Sequence, residues 1–188
     1  MSDFAIETAR LTLREWRDTD LDALHRLCTD PAVMATIGPL LDRAAARAFL
    51  AKLQNRARQT GHTFWALERR SDARVLGFTG IARSEVPAIA GALEIGWRLG
   101  SEYWGQGFAR EAAEASLDWS AKERPGEQVV AITAVINSRS RGLMERLGMR
   151  RLTDRDFDHP SVPEGNSLRP HVVYAIDPSS RVAGDLRG

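Results

Sequence analysis

The chain has one cysteine, Cys28, so an intrachain disulfide and a cysteine-rich metal centre are both excluded. A buried core thiol is its simplest reading. No apolar run is long enough to cross a bilayer. The opening MSDFAIETARL has no basic region followed by an apolar stretch, so it does not read as a secretory signal. A cytoplasmic protein with no membrane partner is expected. Charge of one sign is also missing: 26 Lys and Arg stand against 25 Asp and Glu. That balance leaves no basic face for nucleic acid. The four histidines, His25, His62, His159 and His171, show no metal-ligand spacing, and no metal is expected. A G-K-[ST] motif is lacking, which excludes a nucleoside triphosphate P-loop. There is no internal repeat and no low-complexity segment.

What is present suffices for one domain. A chain of 188 residues buries roughly 70% of its unfolded surface, enough for a real core. Ala9–Trp16 alternates apolar and polar from Leu11 and predicts a strand. Asp18 or Thr19 precedes a short helix with Leu21, Leu24 and Leu27 or Cys28 on one face. Pro31 and Gly38-Pro39 break the chain. A longer helix then runs from about Leu41 to Gln59, its Arg and Lys residues forming a solvated face, and Gly61 stops it. The stretches 62–70 and 74–84 predict paired strands about Ser71 and Asp72, and 92–99 a further strand. A helix reaching Glu123 would bury Phe108, Ala112, Ala115 and Trp119. QVVAITAVI is strongly β-prone, SRSRGLMERL reads as a short helix closed by Gly148, and MRRLTD and HVVYAID read as last strands. This order predicts an α+β domain over 8–177 with one largely antiparallel sheet and helices on its faces. A polar tail occupies 178–188.

The stretch YWGQGFAREA joins a strand to a helix through two glycines and an alanine. Such a turn bares main-chain N–H groups at a helix start, and these attract a phosphate. Gly105 and Gly107 would let phosphate oxygens approach; alternatively they serve a tight turn needing positive φ. A dinucleotide fingerprint does not fit, because its third glycine would fall on Arg110.

WGQGFA resembles the pyrophosphate loop of the GNAT acetyltransferases, usually Gln/Arg-x-x-Gly-x-Gly/Ala. Gly107 and Ala109 match, while Trp104 stands where Gln or Arg is usual. The YWG opening is similar to that of the ribosomal-protein-alanine N-acetyltransferase branch. TARLTLREW, LEIGWRL and NSRSRGLMERLGM resemble further blocks of that branch, in order, over about Thr8 to Asp177.

The resemblance implies a sheet splayed between the family's fourth and fifth strands and acetyl-CoA as cosubstrate. It implies that Trp97, Arg98 and Leu99 offer main-chain groups to the pantetheine arm. The N–H groups of Gly105, Gln106, Gly107, Phe108, Ala109 and Arg110 would hold the pyrophosphate, with Gln106 as a side-chain donor and Arg110 as a charge partner. Asn137 would cap its helix and also face the arm. Transfer to an amine calls for a base, and Glu94 is the candidate; its alternative is a salt bridge with Arg98 or a neighbour. Ser140 would donate to the leaving thiolate in place of the tyrosine used by many members, or be a plain helix-start hydroxyl. His159 is either a solvated loop residue or an acceptor contact. The acceptor is a protein N-terminus or a small amine, a CoA-binding sensor without catalysis is the rival class, and a homodimer stays open.

Overall fold

The computed structural model describes residues 4–179. Residues 180–188 of the expected tail lie outside them. The strands are β1 (Ala5–Glu7), β2 (Leu11–Arg14), β3 (Phe64–Arg69), β4 (Arg74–Arg83), β5 (Leu93–Leu99), β6 (Val129–Ala134), β7 (Arg150–Arg151), β8 (Phe157–Asp158) and β9 (Pro170–Ile176). The helices are α1 (Leu21–Thr29), α2 (Pro31–Met34), α3 (Arg43–Thr60), α4 (Phe108–Glu123) and α5 (Ser138–Arg146). The sequence pattern did not indicate β1, β8 or α2. The two strands are three and two residues long and exist only through their neighbours. Pro31 does not break the chain: it opens α2, after Asp30 has accepted a bond from the Ala32 N–H, and proline suits that first helical position.

The strands form one sheet in the order β1-β2-β3-β4-β5-β6-β9-β7, with β8 also on β9. Every pairing is antiparallel except β5 with β6. That parallel contact holds only at Leu93↔Val129 and Glu94↔Val130, after which the strands part. This is the expected splay; the extra β1 makes its strands the fifth and sixth of this chain.

Helices cover both faces. Side α4 packs on β2, β4 and β5, while α1 packs on α3 and β4 on the other side. Strand alternation sends Leu93, Ile95 and Leu99 into the α4 core with Leu117 and Phe108. Glu94, Gly96 and Arg98 face the α1–α3 side, where Leu24, Leu50, Leu53 and Phe78 form a second core. In α4 the buried line is Phe108, Ala112, Ala113, Ser116, Leu117 and Ser120. The expected Ala115 and Trp119 are only partly buried. The two serines hid this face, yet Ser116 returns its hydroxyl to the Ala112 carbonyl at 2.9 Å and so enters the core at little cost. Asp42 caps α3 through the Ala45 N–H, and Gly61 ends it at φ 75°.

One ion cluster is buried in the α1 corner. Arg14 binds Asp20 through both terminal nitrogens, at 2.7 and 3.0 Å, and Glu68 through Nε at 2.7 Å. Asp20 also accepts the Arg17 N–H at 2.8 Å.

Candidate active site

The site is built on the parting of β5 and β6. The Gly100 N–H donates to Leu76 of β4. In an antiparallel ladder the residues alternate in the edge they address. Gly96 and Arg98 therefore turn their main-chain groups towards β4, whereas Trp97 and Leu99 turn theirs towards the gap; the Ile95 N–H still serves the Glu94↔Val130 pairing. By the same alternation Ile132 and Ala134 address the gap from β6, because the Val135 N–H donates to Pro170 on the far side. The Leu99 carbonyl is taken: Trp104 Nε1 donates to it at 2.9 Å. The gap is thus lined on both sides by strand edges that have lost their partner.

At the mouth of the gap, Gly105 and Gly107 lie exposed at φ 74° and 81°, in the left-handed region that glycine alone enters freely. Gly107 is the N-cap of α4 and supplies no side-chain cap. Among the described residues nothing accepts the main-chain N–H groups of Gly105 to Arg110. Phe108 is buried and Ala109 partly so, which anchors the helix start against the sheet. The two other expected donors are engaged elsewhere. The Gln106 amide folds back onto the Glu102 carbonyl at 2.8 Å, and Arg110 Nε binds Glu114 at 2.9 Å one turn along the helix. Arg10, which sequence reasoning missed, braces the loop from outside. It donates to the Gln106 carbonyl at 3.0 Å, pairs with Glu111 at 2.7 Å and lies over the Phe108 ring.

Across the gap, α5 starts at Asn137, whose Oδ1 accepts the Ser140 N–H at 3.1 Å. The cap uses only the oxygen, and among the described residues nothing accepts from the Asn137 NH2 group. The Ser140 hydroxyl is partly buried and has no partner among the described residues. Tyr174 lies in the core and its hydroxyl donates to Glu145 at 3.1 Å, so it does not line this opening.

The model of the acetyltransferase (GNAT) domain matches residues 10–150. The chain belongs to the GNAT family. This GNAT protein is 28% identical to YnaD of Bacillus subtilis, an N-acetyltransferase by name, over 91% of this chain and 95% of that one. It superposes on the GNAT-family acetyltransferase from Bacillus anthracis with a TM-score of 0.75 at 26% identity, covering 93% and 99% of the two chains. RimL, a ribosomal α-N-protein acetyltransferase solved with coenzyme A, shares the fold at a TM-score of 0.76 and 15% identity, over 94% and 99%. Membership makes the protein an acetyl-CoA-dependent N-acetyltransferase with an amine acceptor.

The closed end of the gap lies at Glu94. A cavity of about 290 Å³ is lined there by Glu94, Ser84, Lys52, Arg56, Glu85 and His159, among others. Burial pushes the Glu94 carboxyl up, against the Ser84 hydroxyl bonded to it and the nearby charge of Arg56. The salt bridge with Arg98 does not form. Arg98 instead lies over Phe78 and Phe49, with Nη1 3.4 Å from Cys28 Sγ, and burial pushes it down. Beside Glu94, the space over Gly96 is filled by the Phe64 ring, 3.0 Å from where a Cβ would stand. Lys52 and Arg56 both bind Glu85, at 2.7 and 2.6 Å. His159 stacks near His171, ring centroids 4.8 Å apart, and burial with that neighbour pushes its imidazole down. Among the described residues no group of acidic, histidine or cysteine side chains could hold a metal ion. No described helix is long and apolar enough to cross a membrane.

Proposed function

We propose that the protein acetylates the α-amino group of a protein N-terminus by direct attack of the amine on the acetyl-CoA thioester. The observation that carries this reading is the opening between β5 and β6, with Glu94 at its vertex and an unsatisfied helix start at its mouth. Trp97 offers both main-chain groups and Leu99 its N–H to the amides of the pantetheine arm, while Arg98 serves β4. The free N–H groups from Gly105 to Arg110 receive the pyrophosphate, aided by the positive end of α4. Asn137 donates its NH2 to the arm while its oxygen caps α5.

Glu94 takes the amine proton, directly or through a water. An α-amino group, with a pKa of about 7.7–8.0, needs only such a modest base; a lysine at about 10.4 needs a stronger one. A main-chain N–H of β5 facing the gap holds the developing oxyanion. Ser140, whose hydroxyl has no other engagement among the described residues, donates a hydrogen bond to the departing thiolate sulfur.

A second reading, a small free amine as acceptor, is favoured by the size of the cavity beside Glu94, about 290 Å³, at the lower end of the range for small-molecule sites. Thiol release from acetyl-CoA, measured against peptides with free and blocked N-termini and against small amines, separates the two. Turnover only of free N-terminal peptides is expected. Turnover only of small amines would replace the acceptor. Binding of CoA without thiol release for any amine would leave a sensor.

A further inference from the structure

The mouth of the gap needs positive charge, and the two arginines flanking its loop are spent. CoA carries a diphosphate and a ribose phosphate, all anionic. Arg110 is paired with Glu114 and Arg10 with Glu111. The first turn of α4 itself adds the acidic Glu111. Arg139 differs from both arginines. Its guanidinium lies 4.4 Å over the Trp104 ring and makes no hydrogen bond or ion pair among the described residues.

The position of this contact matters as much as its freedom. Trp104 follows the end of β5 and immediately precedes Gly105. Arg139 follows the end of β6, in the first turn of α5. Their contact therefore bridges the two strand ends across the opening through which an extended arm would run. The indole is itself fixed, by its bond to the Leu99 carbonyl. A planar cation stacked on a fixed ring keeps its edge donors free. Those donors lie beside a loop whose N–H groups also lack acceptors.

We propose that Arg139 is the phosphate-reading clasp of the cosubstrate site, held ready by Trp104 and exchanging ring contact for ion pairing when the phosphates arrive. The inference rests on the proposed binding of acetyl-CoA at this opening. It predicts that Arg139 distinguishes CoA from its phosphate-free fragment, a distinction that a merely structural residue would not make.

Titration calorimetry of CoA, 3′-dephospho-CoA and pantetheine into the wild type, Arg139→Ala and Arg139→Lys provides the test, with thermal melts to show that each variant is folded. For Arg139→Ala, CoA should bind about tenfold more weakly or worse, the scale of a lost charge-assisted hydrogen bond. Pantetheine affinity should not change. Arg139→Lys, which keeps charge but loses the planar fork, should fall between. A penalty that disappears with 3′-dephospho-CoA assigns Arg139 to the ribose phosphate; one that persists assigns it to the diphosphate. Equal weakening for CoA and pantetheine, or no weakening for CoA, overturns the clasp. A wild type that binds none of the CoA compounds would overturn the proposed function instead.

Discussion

Glu94 stands opposite Val130, and that is the last pair that β5 and β6 share. The carboxylate thus occupies the vertex where a sheet contact ends and a ligand opening begins. Its side chain faces the α1–α3 side and the cavity, while the main chain of the neighbouring Ile95 turns towards β6. No other carboxylate on β5 could serve, because Glu94 is the only acidic residue of that strand.

If Glu94 accepts the amine proton, Glu94→Gln keeps the shape and removes the base. The rate deficit should be large near neutral pH and shrink as the pH approaches the pKa of the amine. Recovery should come by about pH 8–9 for an α-amino acceptor and about pH 10 for a lysine side chain. A pH–rate series on both proteins reads this directly. A deficit constant over that range would assign Glu94 to substrate binding or structure.

Gly107 is a sharp test of the loop. Its φ of 81° disfavours any side chain, and an added Cβ would stand 3.4 Å from Arg10 Nη2. Gly107→Val should cost about 1–2 kcal/mol in backbone strain and place its methyls where phosphate oxygens approach. In calorimetry CoA affinity should fall at least tenfold while the fold survives. For the wild type, CoA at 100 times its Kd should stabilise by about 2.7 kcal/mol in a thermal shift. Undiminished affinity in the variant would reduce the loop to a turn.

The features legible in the sequence were those whose cause is local. Two glycines beside a helix start announce positive φ and free N–H groups, and Asn137 three residues before Ser140 announces a cap. The face of Glu94 follows from alternation alone. What stayed hidden depends on distance along the chain. Arg10 meets Glu111 across 101 positions, and Arg139 meets Trp104 only because two strands diverge. Ser116 and Ser120 broke the apolar pattern of α4 although both are buried. Gln106 and Arg110 are the right residue types in the right place, yet each finds a nearer partner within four residues. Pairing Glu94 with Arg98 failed because two aromatic rings and a thiol surround the arginine, a setting that no count along the strand reveals.

Ser140 separates chemistry from binding. Its N–H holds the cap with Asn137, and a substitution at the hydroxyl leaves that bond intact. Ser140→Ala should therefore lower kcat and kcat/KM by the same factor, with CoA affinity unchanged. Asn137→Ala should instead cost about 1 kcal/mol of stability through the lost cap and weaken CoA. Were Ser140→Ala to weaken CoA and spare turnover, the hydroxyl would be a cosubstrate contact.

The Arg14 cluster should matter for stability and not for the reaction. Asp20→Ala leaves a buried guanidinium with Glu68 and the Glu15 carbonyl as its partners among the described residues, and breaking such a pair costs about 3–5 kcal/mol. Chemical denaturation should show that loss, with KM for acetyl-CoA unchanged in the folded fraction. A loss under about 1 kcal/mol would mean that water reaches the corner and replaces the carboxylate.

Glu94 also makes a prediction about stability, with the opposite sign to most carboxylates. Burial raises its pKa above the ordinary carboxylate value, so the folded state holds that proton more tightly than the unfolded chain does. The resulting stabilisation is complete below the unfolded pKa, about 4.3, and is lost as pH rises through the higher folded value. At neutral pH the wild type therefore bears the cost of a partly buried charge. Glu94→Gln does not titrate and retains an oxygen to accept the Ser84 hydroxyl bond. The variant should melt higher than the wild type at pH 7, even as it loses activity, and the gap should close as pH falls towards 4. Paired melting curves across that range decide it. A variant less stable at pH 7 would mean that attraction to Arg56 outweighs burial, and that the carboxylate is held charged as a structural ion.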